Sequence, residues 1–182
     1  LAALQPENTG LMITNKWLLH IKDVYRLHQA ELEALPREQM MGAVEACIAK
    51  GAGGAIVFAS GYGETGLADR QADEARLRDR CREAGLPLVG VNCLGIVDHV
   101  KKAGVTFMPE YVRMTAPAGG VAITSQSGAL GYALMQAAER GFSVCHMTTA
   151  GNATDLDVCD LAAYQLSMPE CRAVALAVEG LR

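Results

Sequence analysis

Short uninterrupted apolar runs alternate along this chain with longer segments of helical periodicity, and that alternation restricts the fold more than any other feature. The apolar runs are residues 55–59, 86–91, 120–124, 143–148 and 173–178; the helical segments are 37–50, 70–84, 129–140 and 155–167. A strand apolar on both sides is buried on both faces, and strands joined through helices run parallel. The expected fold is therefore α/β, an open parallel sheet built of βαβ units. Aromatic residues make up only 5% of the chain, and the abundant Ala and Gly suit helices lying close on such a sheet.

The helical segments carry their own signals. In residues 37–50, Met40, Met41, Val44, Cys47 and Ile48 share one face, and Gly51 follows as a stop. Residues 70–84 are charge-rich and end at Gly85. In 129–140, Leu130, Ala133, Leu134, Ala137 and Ala138 recur at helical spacing before Gly141, which suits a C-terminal stop. Residues 95–118 are expected to be irregular. Their Pro/Gly cluster marks a boundary between a first domain, 1–112, and a second, 119–182. Residues 16–35 are a candidate amphipathic helix, and no strand followed by a glycine-rich turn is recognised within 1–36.

Composition removes several functions. A net charge of −4 without a basic stripe argues against a nucleic-acid partner. No apolar run approaches the roughly 18 residues of a membrane span. The six cysteines (Cys47, Cys81, Cys93, Cys145, Cys159, Cys171) form no CxxC pair and read as reduced thiols of a cytoplasmic protein. Neither they nor the four histidines show metal-ligand spacing. The chain starts at Leu1 rather than Met, so it is expected to be a fragment, a processed product or an incomplete protein.

In open parallel sheets, ligands lie at the carboxyl ends of the strands. Here those ends carry the loops 60–66, 92–95, 125–128, 150–155 and 179–180, rich in Gly, Ser, Asn and acid. The junction Ser125-Gln126-Ser127-Gly128 joins a strand directly to a helix. It offers two hydroxyls and unpaired backbone N–H groups at the positive end of a helix dipole, a site for an anion such as a phosphoryl group. Simple capping of the helix by serine is the alternative.

Taken together, these loops resemble the NDP-forming acyl-CoA synthetases, which include the succinyl-CoA ligase α subunit and ADP-forming acetate–CoA ligases. Residues 60–66 (Ser-Gly-Tyr-Gly-Glu-Thr-Gly) resemble the family's (A/S)GFxExG, and 90–95 (Gly-Val-Asn-Cys-Leu-Gly) its GPNCLG. Residues 125–129 match SQSGA. Residues 150–157, followed by Glu179-Gly180, resemble GNxADxD…EG. The resemblance implies a Rossmann-like CoA-binding domain followed by a flavodoxin-like domain. It implies an acid–thiol ligase that forms acyl-CoA from a carboxylic acid, CoA and ATP through a phosphohistidine and an acyl-phosphate. ATP or ADP, with Mg, would be held by an ATP-grasp domain or subunit, and homo- or hetero-oligomers are expected.

Residue by residue, Ser125, Ser127, Gly128 and Ala129 match the site that receives the phosphohistidine and the acyl-phosphate. Tyr132 matches a contact to the organic acid, with a core tyrosine as the alternative. Glu179 matches the acid that orients the phosphorylated imidazole, as acids orient bases elsewhere; a solvated strand end is the alternative. Ser60 and Gly61 match a backbone contact to CoA, beside which Glu64 could instead cap a helix. Asn92 is placed toward substrate or the thiol end of CoA, and Cys93 reads as structural. Asp155 is expected to cap the helix 155–167, or its loop with Asn152 and Asp157 to close over the phosphate. His146 reads as a core histidine, and Lys101 and Lys102 as a solvated pair.

Three departures stand out. The family's first βα unit, with its glycine-rich turn for CoA, is not recognised in residues 1–36, so a principal CoA contact is expected to be missing or rebuilt. The phosphorylated histidine would lie beyond Glu179, and none of His20, His28, His99 or His146 is in its place; Val91 also replaces the proline of the Asn-Cys motif. A non-catalytic CoA or acyl-CoA sensor of the same fold is thus the rival reading. A nicotinamide-dependent oxidoreductase is weaker, because no GxGxxG follows a first strand.

Overall fold

The computed structural model describes the backbone of residues 11–13 and 37–38, and, with side chains, residues 39–101, 103–106, 108 and 120–180. They form two sheets. The first is parallel and three-stranded, in the order β1 (Leu11–Ile13), β2 (Ala55–Val57), β3 (Leu88–Gly90). So a strand does precede β2, contrary to the reading of residues 1–36. At three residues it is too short to show a periodicity. The candidate helix 16–35 lies outside the described residues.

Helix α1 (Arg37–Ala49) turns Met40, Val44 and Cys47 into the core, the face its spacing indicates. Helix α2 (Ala68–Glu83) has only a narrow buried stripe, Glu74, Leu77 and Cys81, and one member of it is a carboxylate. Arg80 and Arg82 in its last turn suit the negative end of the dipole. Arg80 also grips Glu45 of α1 in a two-pronged pair, 2.6 and 2.8 Å, which draws the Glu45 carboxyl below its usual range.

The second sheet is mixed and runs in the order β5-β4-β7-β6-β8. Strands β6 (Gly120–Ser125), β7 (Val144–Thr149) and β8 (Cys171–Ala177) are parallel, as expected. Strand β4 (Gly95–Asp98) pairs antiparallel with β7, and β5 (Ala103–Thr106) pairs antiparallel with β4, where irregular chain was expected. Each is four residues long and half buried, so neither makes a continuous apolar run. All six residues of β7 are buried.

Helix α3 (Gly128–Met135) continues as a 3-10 turn, Gln136–Arg140, up to Gly141 at φ 85. Its buried face is Gly131, Met135 and Ala138; of the face the apolar spacing suggested, Ala138 is buried as expected while Leu130 and Leu134 point outward. The reason is Gly131. A Cβ there would lie 2.9 Å from Thr149 Cγ2 and 3.2 Å from Ser125 Cβ, so the helix sits on the sheet through its glycine. Helix α4 (Val158–Leu166) starts later than expected because Asp157 caps it, reciprocally with Asp160.

His146 is buried, with Nε2 3.1 Å from Glu170 Oε1 and Nδ1 3.7 Å from Asp98 Oδ1. No helix among the described residues is long and apolar enough to cross a membrane.

Candidate functional site

The carboxyl ends of both sheets face a cleft of about 550 Å³. Gly63 and Glu64 line it from the loop after β2, Glu74 and Arg78 from α2, Asn152 and Thr154 from the loop after β7, and Gln126, Glu179 and Gly180 from the ends of β6 and β8. Three carboxylates thus face one guanidinium, and Arg78 is itself paired with Asp79 at 2.8 Å.

Glu74 is 5% exposed. Its Oε2 accepts the Gly63 N–H at 2.8 Å and Asn152 Nδ2 at 2.9 Å, and its Oε1 accepts the Thr154 hydroxyl at 2.8 Å. Thr154 Oγ1 in turn accepts the Val91 N–H at 3.0 Å. Asn152 gives its other amide hydrogen to Glu64 Oε2 at 2.6 Å, and its Oδ1 accepts Asn92 Nδ2 at 3.3 Å. The Glu64 carboxylate also accepts the N–H groups of Gly61 and Tyr62. The buried polar atoms of this network are therefore satisfied by one another across the two sheets, as burial requires. Gly151 makes the approach possible: at φ 56, a Cβ would come 2.1 Å from the Val91 carbonyl oxygen.

Asp155 does not cap α4. Its Oδ1 takes Arg82 Nε at 2.7 Å and its Oδ2 the Leu88 N–H at 3.2 Å, so it clasps α2 and β3.

The serine turn is built differently on its two sides. Ser125 is fully buried and donates its hydroxyl to the Ser127 carbonyl at 2.6 Å. Ser127 is partly exposed and caps α3, its Oγ accepting the Leu130 N–H at 3.4 Å. The N–H groups of Gly128 and Ala129 open that helix, where no intrahelical acceptor exists. Leu94 covers Gly128, 2.7 Å from where a Cβ would be. Gln126 binds this turn to the end of β8: its Oε1 accepts the N–H groups of Glu179 and Gly180, and its Nε2 donates to the Gly180 carbonyl at 2.7 Å.

Of the expected residues, Glu179 lines the cleft, and Asn92, at φ 55, joins it through Asn152. Ser60 is exposed at the head of its loop. Ser127 is one residue from cleft-lining Gln126. Tyr132 is half buried against the cluster of Val97, Ile123 and Met147. Cys93 is buried, donates to the Val57 carbonyl at 3.4 Å, and has its thiol pushed up to about 12 by burial, which leaves it unreactive. Sequence reasoning missed Glu74 and Gln126. The first was signalled by a carboxylate at i, i+3, i+7 with Leu77 and Cys81 on the buried stripe of α2.

Asp98, His146 and Glu170 are the group, among the described residues, whose ligand atoms lie within 4.8 Å of one another. They stand toward the amino end of β7, away from the cleft, with a carboxylate at each ring nitrogen.

Comparison with known proteins bears on the same elements. Residues 118–182 match the family described as succinyl-CoA ligase like flavodoxin domain. The chain is 32% identical over 151 residues to the α subunit of an ADP-forming acetate–CoA ligase II from Pyrococcus furiosus, covering 81% of this chain and 31% of that protein. It is 31% identical to a trans-feruloyl-CoA synthase from an unknown prokaryotic organism, over 82% of this chain and 21% of that one. A dinucleotide-forming acetyl-coenzyme A synthetase 1 of Ca. Korarchaeum cryptofilum, solved with phosphate and ADP, superimposes with a TM-score of 0.72 at 28% identity. That alignment covers 82% of this chain and 31% of the solved one. The chain thus spans about a third, or less, of the length of these relatives.

Proposed function

We propose, for a chain that belongs to the family of NDP-forming acyl-CoA synthetases, that it is the CoA-binding and acyl-transfer part of an acid–CoA ligase. Residues 1–112 are read as the CoA-binding part and 119–182 as the acyl-transfer part. The overall reaction joins a carboxylic acid and CoA at the expense of ATP, releasing ADP and phosphate. An ATP-grasp domain or subunit delivers the phosphoryl group. The last step is attack of the CoA sulfur on the carbonyl carbon of an acyl-phosphate. The carbon–oxygen bond to phosphate breaks, and the thiol proton leaves with the phosphate.

The observation that carries this reading is the convergence of four carboxyl-end loops, from two sheets, on one cleft beside the amino end of α3. There, Ser127 and the N–H groups of Gly128 and Ala129 hold the phosphoryl oxygens, favoured by the helix dipole. Ser125, fully buried, supports the turn through the Ser127 carbonyl. Glu179 accepts an imidazole N–H and orients the phosphorylated ring. Asn92 and Ser60 lie along the CoA path. The Gly61 N–H is held by the Glu64 carboxylate, so a CoA oxygen that used it would displace that carboxylate. Tyr132 borders the acid.

The test is Ser127→Phe in the intact protein, assayed for acyl-CoA formation from acid, CoA and ATP. A bulky side chain across the helix terminus should lower turnover about 100-fold or more, as loss of a preorganised anion donor does elsewhere. Unchanged turnover would remove the anion site. CoA binding without turnover in the wild type would favour the sensor.

A further inference from the structure

Glu74 is a buried carboxylate with no part in the reaction proposed above, yet it bridges loops of the two sheets. Its three accepted hydrogen bonds come from opposite sides of the cleft: Gly63 from the loop after β2, Asn152 and Thr154 from the loop after β7. The Thr154 hydroxyl is fixed by the Val91 N–H after β3, and the Asn152 amide by Asn92 and Glu64. Both side-chain donors are therefore held by further partners. Space is equally constrained. A Cβ on Gly63 would lie 2.6 Å from Glu74 Oε2, so the loop backbone rests directly on the carboxylate.

We infer that Glu74 is a positioning residue that sets the distance between the loop 60–66 and the loop 150–154, and so aligns the thiol end of CoA with the acyl group across the cleft. This rests on the ligase reading, which places CoA on the first loop and the transferred group at the amino end of α3, to whose turn the second loop is tied by the Ala150 N–H on the Ser125 carbonyl at 2.7 Å. An acyl transfer needs its reacting atoms near contact distance, and a misplacement of about 1 Å costs on the order of 100-fold in rate. A ligand held by one loop alone does not sense that spacing. Glu74 therefore governs kcat more than the affinity of either substrate.

The experiment compares Glu74→Ala and Glu74→Gln with wild type in the intact protein, well below each melting transition. Glu74→Ala should lower kcat about 100-fold while KM for CoA changes less than about threefold. Glu74→Gln keeps an oxygen for Gly63 and Asn152 and should recover most of that loss. Hydrogen exchange supplies a readout independent of turnover: segments 60–66 and 150–154 should both exchange faster in Glu74→Ala, with β6 and β7 unchanged. Should Glu74→Ala not fold, Asn152→Ala, which removes one of the three donors, takes its place with smaller changes in the same directions. A kcat within threefold of wild type, or loosening of only one segment, overturns the assignment. If the wild-type protein forms no acyl-CoA, the ligase reading falls, and the exchange result alone decides whether Glu74 couples the loops.

Discussion

At the amino end of β7, His146 lies between the carboxylates of Asp98 and Glu170; just past its carboxyl end, Asn152 lies between those of Glu64 and Glu74. Both are polar groups flanked by two acids, and their chemistry differs because of what surrounds them. The first cluster draws on β4, β7 and the turn before β8, all of the second sheet. The second joins two sheets, includes a carboxylate from a helix of the first, and borders the cleft. A gathering of charge becomes a candidate site when its donors fix loops around space a ligand can enter. The His146 cluster takes in Lys101 besides, which gives Asp98 its N–H at 2.8 Å, and it lines no part of the cleft.

That contrast can be broken most sharply at Asn152. Asn152→Asp would set a third carboxylate against Glu64 and Glu74 in place of two donated hydrogens. It should lower stability by roughly 3 kcal/mol, read as a fall in the urea midpoint. Adding Glu74→Gln should recover part of that. A loss too small to measure would mean the latch is not formed in solution.

Next in size is His146→Leu at the other end. Asp98 and Glu170 lose an imidazole but keep contact with water, at 16% and 17% side-chain exposure. The expected cost is about 1–2 kcal/mol, with CoA affinity and turnover unaltered. A loss of turnover would join the two ends and end the comparison.

A smaller effect is pH-dependent. Its own backbone N–H, ahead of the His146 ring, holds the Glu170 carboxyl below the usual glutamate range. A lowered carboxyl contributes stability above its unfolded pKa, about 4.3, and loses it as pH falls through the folded value. Glu170→Gln should therefore flatten the stability profile on the acid side of pH 4.3 and leave it unchanged in shape near neutrality. A steeper acid limb in the variant would reverse the sign. The smallest effect concerns reactivity. At pH 8, a thiol reagent should modify exposed Cys159 in the native protein and leave Cys93 untouched, its thiol being pushed up to about 12. Labelling of native Cys93 would reopen it as a nucleophile.

Much of this was legible because the parallel strands are apolar on both faces and the loops beyond them are not. The runs at 55–59, 120–124 and 143–148 lie on β2, β6 and β7, and their carboxyl ends do share one edge. What stayed hidden needed partners distant in sequence. Strand β4 forms by pairing with β7, across more than forty residues, β5 then pairs with β4, and their own four-residue patterns say little. The face of α3 was misread because nearly every residue in it is apolar; only the close seat of Gly131 on Thr149 decides which side goes inward. Asp155 resembled a cap by position, but Asp157 had the better spacing to Asp160. Glu74 looked like one more charge on a charged helix.

We propose that the amino end of α3 and the adjoining cleft hold the transferred group and the CoA thiol. A crystal structure of the intact protein with CoA and phosphate tests it most directly. Phosphate is expected within hydrogen-bond reach of Ser127 Oγ and the Gly128 and Ala129 N–H groups, with the CoA sulfur facing it between loops 60–66 and 150–154. Phosphate bound elsewhere, with the α3 terminus covered and CoA outside the cleft, would contradict it.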